Sequence, residues 1–311
     1  MTRSANPLGR NEFMEVPLID CDSSERSDDE IAADIDRALS EVGFMALENL
    51  GLEQSVIERA FAVSRSFFAE PSATKLRCAY GLAAENFGYQ GLLEESLDPG
   101  KPADLKETFT MRNLTAAGIA ADRWPSGAFR DEMVSFYDDV LGAAQRLQRL
   151  LERALGTPDD FFVSRHNGEN VTLRLLHYPP VDGASVDAEQ MGAGAHTDYG
   201  MLTLLFQDDV GGLQVQSSDG AWHDVPPRPD AIVINAGDLL ERWSNGRYRS
   251  TVHRVLPRVP SGDRFSIALF VDPDSDTKVE ALSSCVDDEN PPRYPVTTAG
   301  EHLQEKILAT H

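Results

Sequence analysis

The sequence predicts a protein that is mainly β with α: a core of jelly-roll type flanked by an N-terminal helical region and a C-terminal helix. Three observations predict it. Apolar residues of the first half recur at helical spacing, from Val171 the period drops to two between recurrent turn residues, and the tail carries a helix-start signal. With 311 residues, 41% hydrophobic and 25% charged, the chain can bury a full core as one large domain or two fused lobes. The expected division is 1–165 for an α-rich region packing on the core, 166–275 for the jelly roll, and 276–311 for a C-terminal extension and helix.

Ile31, Ile35, Ala38 and Leu39 give a first helix its apolar face, and Val42 to Leu47 is a short β-like run. A second helix follows from Val56, Ala60, Val63, Phe67 and Phe68, ending before Pro71. Residues 80–106 are rich in Gly, Pro and charge, lack a clear period, and read as a long, functional loop. A longer helix carries Phe129, Met133, Phe136, Val140, Leu141, Ala144, Leu147, Leu151 and Leu155 on one stripe, with Gly156 as its stop.

Beyond it, Val171–Tyr178, Met201–Gln207, Leu213–Gln216, Ala231–Asn235, Ser250–Leu256 and Phe265–Val271 are strand-like. Many short strands at such spacing argue for a β-sandwich or barrel. Thr298-Ala299-Gly300-Glu301 is a capping box leading into a helix through Leu303, Ile307 and Leu308.

A formal charge of -23 opposes phosphate backbones and anionic lipid, so neither nucleic acid nor membrane is expected as a partner. Cys21, Cys78 and Cys285 are odd in number and form no C-x-x-C, which fits neither a disulfide framework nor a zinc knuckle and suits a reducing cytoplasm. The polar stretch Met1 to Phe13 lacks an apolar signal region, and no later run is long enough to span a bilayer.

The chemistry points to His196-Thr197-Asp198, His253 and Arg264-Phe265-Ser266. Two imidazoles and one carboxylate leave three octahedral positions open, the ligand set of non-heme Fe(II) enzymes that bind a co-substrate and dioxygen together. Gly192, Gly194 and Gly200 bracket the triplet, placing His196 and Asp198 on one side of the chain. His253 lies among β-branched residues as an inward-facing polar group; the alternative is a core histidine satisfied by hydrogen bonds. Arg264 and Ser266 share a strand face, and a buried guanidinium must meet a carboxylate, either a bound dicarboxylate or an internal Asp or Glu. Arg174 shares a face with Leu176 and Tyr178, where it meets a carboxylate of substrate or co-substrate or forms a salt bridge at the barrel rim.

The stretches Leu175-Leu176-His177-Tyr178-Pro179-Pro180, Ala195 to Gly200, Gly212-Leu213-Gln214-Val215, Asn235-Ala236-Gly237-Asp238, Ser244-Asn245-Gly246, His253-Arg254-Val255 and Arg264 to Ser266 resemble the isopenicillin N synthase-like Fe(II)/2-oxoglutarate-dependent dioxygenases. Gly43-Phe44 and Phe67-Phe68 resemble that family's helical N-terminal region, and Arg293-Tyr294-Pro295 to Glu301 its bacterial tails. A local likeness to ethylene-forming enzymes lies in Gly194 to Gly200, Gln207 to Leu213 and Gly100-Lys101-Pro102. Those enzymes have phenylalanine at the position of Tyr178 and an additional insertion, which argues against ethylene formation.

The resemblance implies a double-stranded β-helix, with His196, Asp198 and His253 ligating Fe(II), and Arg264, Ser266 and Tyr178 holding 2-oxoglutarate. Plant members often carry asparagine where this chain has Leu176. The implied enzyme oxidises a small molecule of specialised metabolism by hydroxylation, desaturation, epoxidation or cyclisation, consuming O2 and releasing succinate and CO2, with ascorbate as an auxiliary reductant. Phe87, Tyr89, Phe109, Tyr199 and Trp243 are candidates to line its substrate pocket alongside Arg174, and Glu94 and Glu95 to read a substrate cation; for each the alternative is a core or solvated position. Two rival readings stay open: an iron oxidase of the same family that uses no 2-oxoglutarate, and a jelly-roll binding protein without turnover.

Overall fold

Capping chemistry sets the helix ends. The computed structural model describes residues 15–82, 85–98, 100–114, 119–181, 187, 189–257 and 262–310, with backbone alone for 307–310. The segment Met1 to Phe13 and the side chains of Ile307 and Leu308 lie outside them. In chain order the elements are β1 (Leu18–Asp20), α1 (Asp28–Glu41), β2 (Phe44–Glu48), α2 (Gln54–Phe68), α3 (Ser72–Lys75), β3 (Phe87–Gln90), β4 (Glu107–Arg112) and α4 (Gly127–Leu155). There follow β5 (Val171–Tyr178), β6 (Ala193–His196), β7 (Leu202–Gln207), β8 (Leu213–Gln216), β9 (Trp222–Asp224), β10 (Ile232–Ala236) and α5 (Asp238–Trp243). Last come β11 (His253–Val255), β12 (Arg264–Val271), β13 (Lys278–Val279), β14 (Thr297–Thr298) and α6 (Ala299–Thr310). Ser27 and Glu30 form a capping box at α1, and Ser126 accepts the Phe129 N–H at α4. Gly156 ends α4 at φ 65°, a left-handed conformation that glycine adopts without strain. At α6 the expected box forms: Glu301 N–H donates to Thr298 Oγ1 at 3.2 Å and Thr298 N–H to Glu301 Oε2 at 3.0 Å.

The strands make an eight-stranded sheet in the order β1-β2-β10-β7-β12-β5-β4-β3 and a four-stranded sheet in the order β6-β11-β8-β9. Neighbours in both are antiparallel except β1 and β2. This is the jelly-roll core that the alternation predicts, widened by strands that were not expected. The stretch 80–106 contains β3, and β4 follows directly, so hydrogen bonding runs on past residue 165 into the N-terminal region. Sequence missed β3 because Gly88, at φ 124°, packs against the Cys78 and Ala79 carbonyls and breaks the apolar alternation. The expected strand Ser250–Leu256 shrinks to β11, whose register shifts between His253 and Val255.

Each face of the large sheet has its own core. Leu173, Leu175, Phe206, Ile267 and Leu269 join α1, α2 and α4 in the larger cluster. Leu176, Tyr178, Val233 and Ala268 point the other way, toward Val215 and Val255 of the small sheet. This parity overturns part of the expected pocket. Phe109 pairs with Leu175, Tyr89 with Phe109 and Phe87 with Met111, so all three aromatics face the helices and not the space between the sheets. Trp243 is 1% exposed and packs on Phe161 and Phe162. Phe87, Tyr89 and Phe109 are core residues because the pleat sends them there, and Trp243 because it ends α5 against Phe161 and Phe162.

Phe109 is fully buried, with ring centroids 5.0 Å from Phe67 and 5.2 Å from Phe129. Phe109→Ala is expected to cost about 3–5 kcal/mol in urea unfolding and to leave substrate KM unchanged in the folded fraction. A raised KM with native stability would return Phe109 to the pocket.

Candidate metal centre and carboxylate site

His196 ends β6 and His253 begins β11, directly opposite it in register, so two strands of the small sheet bring their imidazole centroids to 4.4 Å. Asp198 Oδ1 lies 3.8 Å from Nε2 of each ring. His196 Nδ1 sits 2.7 Å from the Gly194 carbonyl and His253 Nδ1 3.1 Å from that of Thr251. A carbonyl only accepts, so each Nδ1 carries the proton and each Nε2 presents its lone pair to the shared point. Asp198 Oδ2 accepts from Asn235 Nδ2 at 2.7 Å and from the Thr203 hydroxyl, leaving Oδ1 for the centre. Among the described residues this is the one group of three or more His, Cys, Asp or Glu side chains that could hold a metal ion.

Backbone packing fixes the carboxylate arm. A Cβ on Gly200 would fall 1.5 Å from Asp272 Oδ1, and one on Gly237 would fall 2.3 Å from the Gly200 carbonyl. Only glycine lets these segments close behind Asp198, whose carbonyl accepts the Asp238 N–H at 2.8 Å. Phe44 packs edge-on against His253, centroids 5.3 Å apart, and limits its rotation.

Burial, reinforced by the neighbouring His253, lowers the pKa of His196 and keeps that ring neutral. Burial opposes ionisation of Asp198, but the two imidazoles and the Asn235 and Thr203 hydrogen bonds outweigh it and hold the carboxyl below its ordinary range. Two imidazole nitrogens and one carboxylate oxygen suit a first-row divalent ion with open positions, so the residues fit Fe(II).

Arg264 is 1% exposed. Its Nε donates to the Gly211 carbonyl at 2.8 Å, Nη2 to Gln207 Oε1 at 2.9 Å and Nη1 to Ser266 Oγ at 3.4 Å, while the Tyr178 ring lies 4.7 Å from the guanidinium carbon. These partners are all neutral. Among the described residues no Asp or Glu pairs with this guanidinium, so the internal carboxylate that sequence left open is not there.

A model of the 2OG-Fe(II) oxygenase superfamily matches residues 159–273, and one of the non-haem dioxygenase in morphine synthesis N-terminal region matches 16–127. The 2-oxoglutarate-dependent dioxygenase citB of Monascus ruber is 30% identical, over 98% of this chain and 98% of its own length. The chain belongs to the 2OG-Fe(II) oxygenase superfamily. The proline hydroxylase buaE of Petromyces alliaceus is 35% identical over 88% of this chain and 91% of its own. A full-length Neurospora crassa protein, solved in complex with alpha-KG, superposes with a TM-score of 0.87 at 31% identity, covering 97% of this chain and 98% of that one.

Within this oxygenase Arg174 is paired internally. Its Nη2 contacts both oxygens of Glu95 at 2.8 and 2.9 Å, and Lys106 Nζ joins the same carboxylate at 2.9 Å. Burial alone would raise the Glu95 pKa, but Arg174 and Lys106 bring it down to about 2. Glu95 is therefore spent on the protein's own cations and not free for a substrate's, while Glu94 accepts the Gly91 N–H. Tyr199 is half-buried under α6, with Lys306 Nζ 5.8 Å from its ring. Sequence missed Thr203, Asn235 and Gln207. Thr203 and Gln207 share one parity of β7, and that alternation was the signal that could have found them.

Asp198→Ala and His253→Ala are each expected to abolish oxidation and to weaken Fe(II) binding severely, with circular dichroism unchanged; full activity in either would rule out the centre. Asp272 gives a pH test. Burial, with Asp198 nearby, raises its pKa from 3.8 to about 7. The native state then keeps a proton that the unfolded chain releases, so metal-free stability falls as pH rises from about 4 to 7. Asp272→Asn is expected to flatten that fall in Tm against pH; a parallel profile would refute it.

Proposed function

We propose that His196, Asp198 and His253 hold Fe(II), that Arg264, Ser266 and Tyr178 hold the distal carboxylate of 2-oxoglutarate, and that the enzyme oxidises a small molecule of specialised metabolism. The observation that carries this reading is the buried guanidinium of Arg264, met among the described residues by neutral acceptors only. A buried cation of this kind is costly unless an anion completes it. A dicarboxylate that also reaches the triad meets that need, and its 2-oxo acid end is a metal chelator.

When bound, Fe(II) would let dioxygen act as the oxidant, 2-oxoglutarate giving two of its four electrons as it becomes succinate and CO2 and the substrate giving the other two, with ascorbate as auxiliary reductant. The chain's own residues then bind, orient and exclude water. The Nδ1–H bonds aim both imidazoles, and Thr203 and Asn235 hold Asp198 to one oxygen. Arg264 and Ser266 set the co-substrate's distal end, and Leu176, Leu205, Val215 and Phe270 make the space between the sheets apolar. On the far side the Arg174–Glu95 pair, with Thr108 and Gln90, gives the substrate a polar and electrically balanced wall. Tyr199, next in sequence to Asp198, is proposed as a further substrate contact. The division at 165 and 275 is proposed as one of roles: cover and polar wall, catalytic core, and closing tail. Cys21, Cys78 and Cys285 are free and buried, and among the described residues no helix is long and apolar enough to cross a membrane, which supports a cytoplasmic assignment.

The test is an anaerobic titration of the Fe(II) protein with 2-oxoglutarate, followed by a screen for compounds that stimulate succinate release. Succinate separates this reading from an iron oxidase independent of 2-oxoglutarate, and substrate-linked turnover separates it from a binding protein. Arg264→Lys keeps charge but loses the planar fork, so it is expected to raise the 2-oxoglutarate KM more than it lowers kcat. Arg264→Ala loses a charged hydrogen bond worth about 1.5–3 kcal/mol. Wild-type affinity in that variant would show that Arg264 serves something else.

A further inference from the structure

We propose that Gln207 is a positioning residue for the co-substrate: its amide oxygen holds the Arg264 guanidinium without neutralising it, and its amide N–H is directed to the same carboxylate. The inference rests on the reading of Arg264 given above. Gln207 closes β7, stands opposite Ser266 in register and is 4% exposed. Ser266 in turn stands opposite Leu176 on β5, one strand further, and Arg264 opposite Tyr178. Gln207 therefore belongs to the same wall as the residues proposed to bind the distal carboxylate.

The amide orientation follows from donor chemistry. Arginine only donates, so the atom 2.9 Å from Arg264 Nη2 must be the Gln207 oxygen. That places Gln207 Nε2 on the other side, where it is a buried donor without a hydrogen-bond partner. Buried donors are nearly always satisfied, and one left open beside an uncompensated guanidinium marks the place of an acceptor. Charge gives the second half of the argument. The nitrogens of Arg264 meet a carbonyl, a hydroxyl and an amide oxygen, which fix its plane and leave its charge intact. A glutamate at 207 is nearly isosteric with glutamine but would place an anion on Nη2, form an internal pair and exclude the co-substrate's carboxylate.

The experiment uses the full-length Fe(II)-loaded chain without oxygen, titrated with 2-oxoglutarate by its chelate absorption band and by calorimetry. Pyruvate, a 2-oxo acid lacking the distal carboxylate, is the control ligand. Gln207→Glu is expected to weaken 2-oxoglutarate binding at least about tenfold at mildly alkaline pH, to recover as the new carboxyl is protonated, and to leave pyruvate binding unchanged. Gln207→Met, which removes the amide but adds no charge, is expected to weaken 2-oxoglutarate less, without the pH dependence, and again to spare pyruvate; it carries the test if Gln207→Glu does not fold. Wild-type affinity for 2-oxoglutarate in both variants, or an equal loss of both ligands, would overturn the proposal. Failure of the wild-type chain to bind 2-oxoglutarate would instead defeat the reading of Arg264, and this inference with it.

Discussion

Everything at the site depends on the register of β12. Because side chains alternate faces along a strand, Arg264, Ser266 and Ala268 look between the sheets while Phe265, Ile267 and Leu269 look toward the helices. A slip of one residue would exchange the two sets, burying Arg264 against α2 and α4 and opening Leu269 to the active space. The register is held on both flanks, by β5 and by β7, across nearly the whole length of the strand. The same parity on β5 delivers Tyr178 and Arg174 inward and stacks His177 on Phe265 behind them, centroids 4.5 Å apart. Hydrophobic burial on the helix side thus sets the geometry of polar groups on the other.

The electrostatics are local and run against the chain as a whole. A net charge of -23 disfavours the approach of any anion, yet the interior offers positive charge held in two ways. Arg174 and Lys106 are answered by Glu95, and Lys106 also meets Asp104, so the charges of that corner balance, with Arg174 Nε left as a buried donor without a partner. Among the described residues Arg264 is answered by dipoles only. Two arginines on neighbouring strands of one sheet therefore have different availability, set by whether the loop after β3 supplies a carboxylate.

Much of this was legible in the sequence, and the limits have physical causes. The period-two runs gave β5, β7, β8, β10 and β12 almost to the residue, because each buries a face against a continuous apolar layer. The helices announced themselves through apolar stripes and through the stops at Gly156 and Pro71. The triad could be placed because metal chemistry restricts residue type and spacing, and strand alternation already set Arg264 and Ser266 on one face. The pocket aromatics could not: Phe87, Tyr89 and Phe109 lie on strands hidden within or beside a Gly- and Pro-rich stretch, and without a strand there is no parity to read. The pairing of Arg174 with Glu95 was also out of reach, since it joins residues far apart in sequence through a loop whose path only tertiary contacts define.

The uncompensated guanidinium bears on how long the protein lasts as well as on what it binds. A buried cation lacking its counter-ion lowers the free energy gap between folded and unfolded chain. An anion that completes it binds only the folded form, and mass action then lowers the unfolded fraction as that anion's concentration rises. Degradation acting on transiently opened molecules follows that fraction. Under the proposed reading of Arg264, the cellular half-life of this enzyme would follow the level of the anion that completes the guanidinium, independently of turnover.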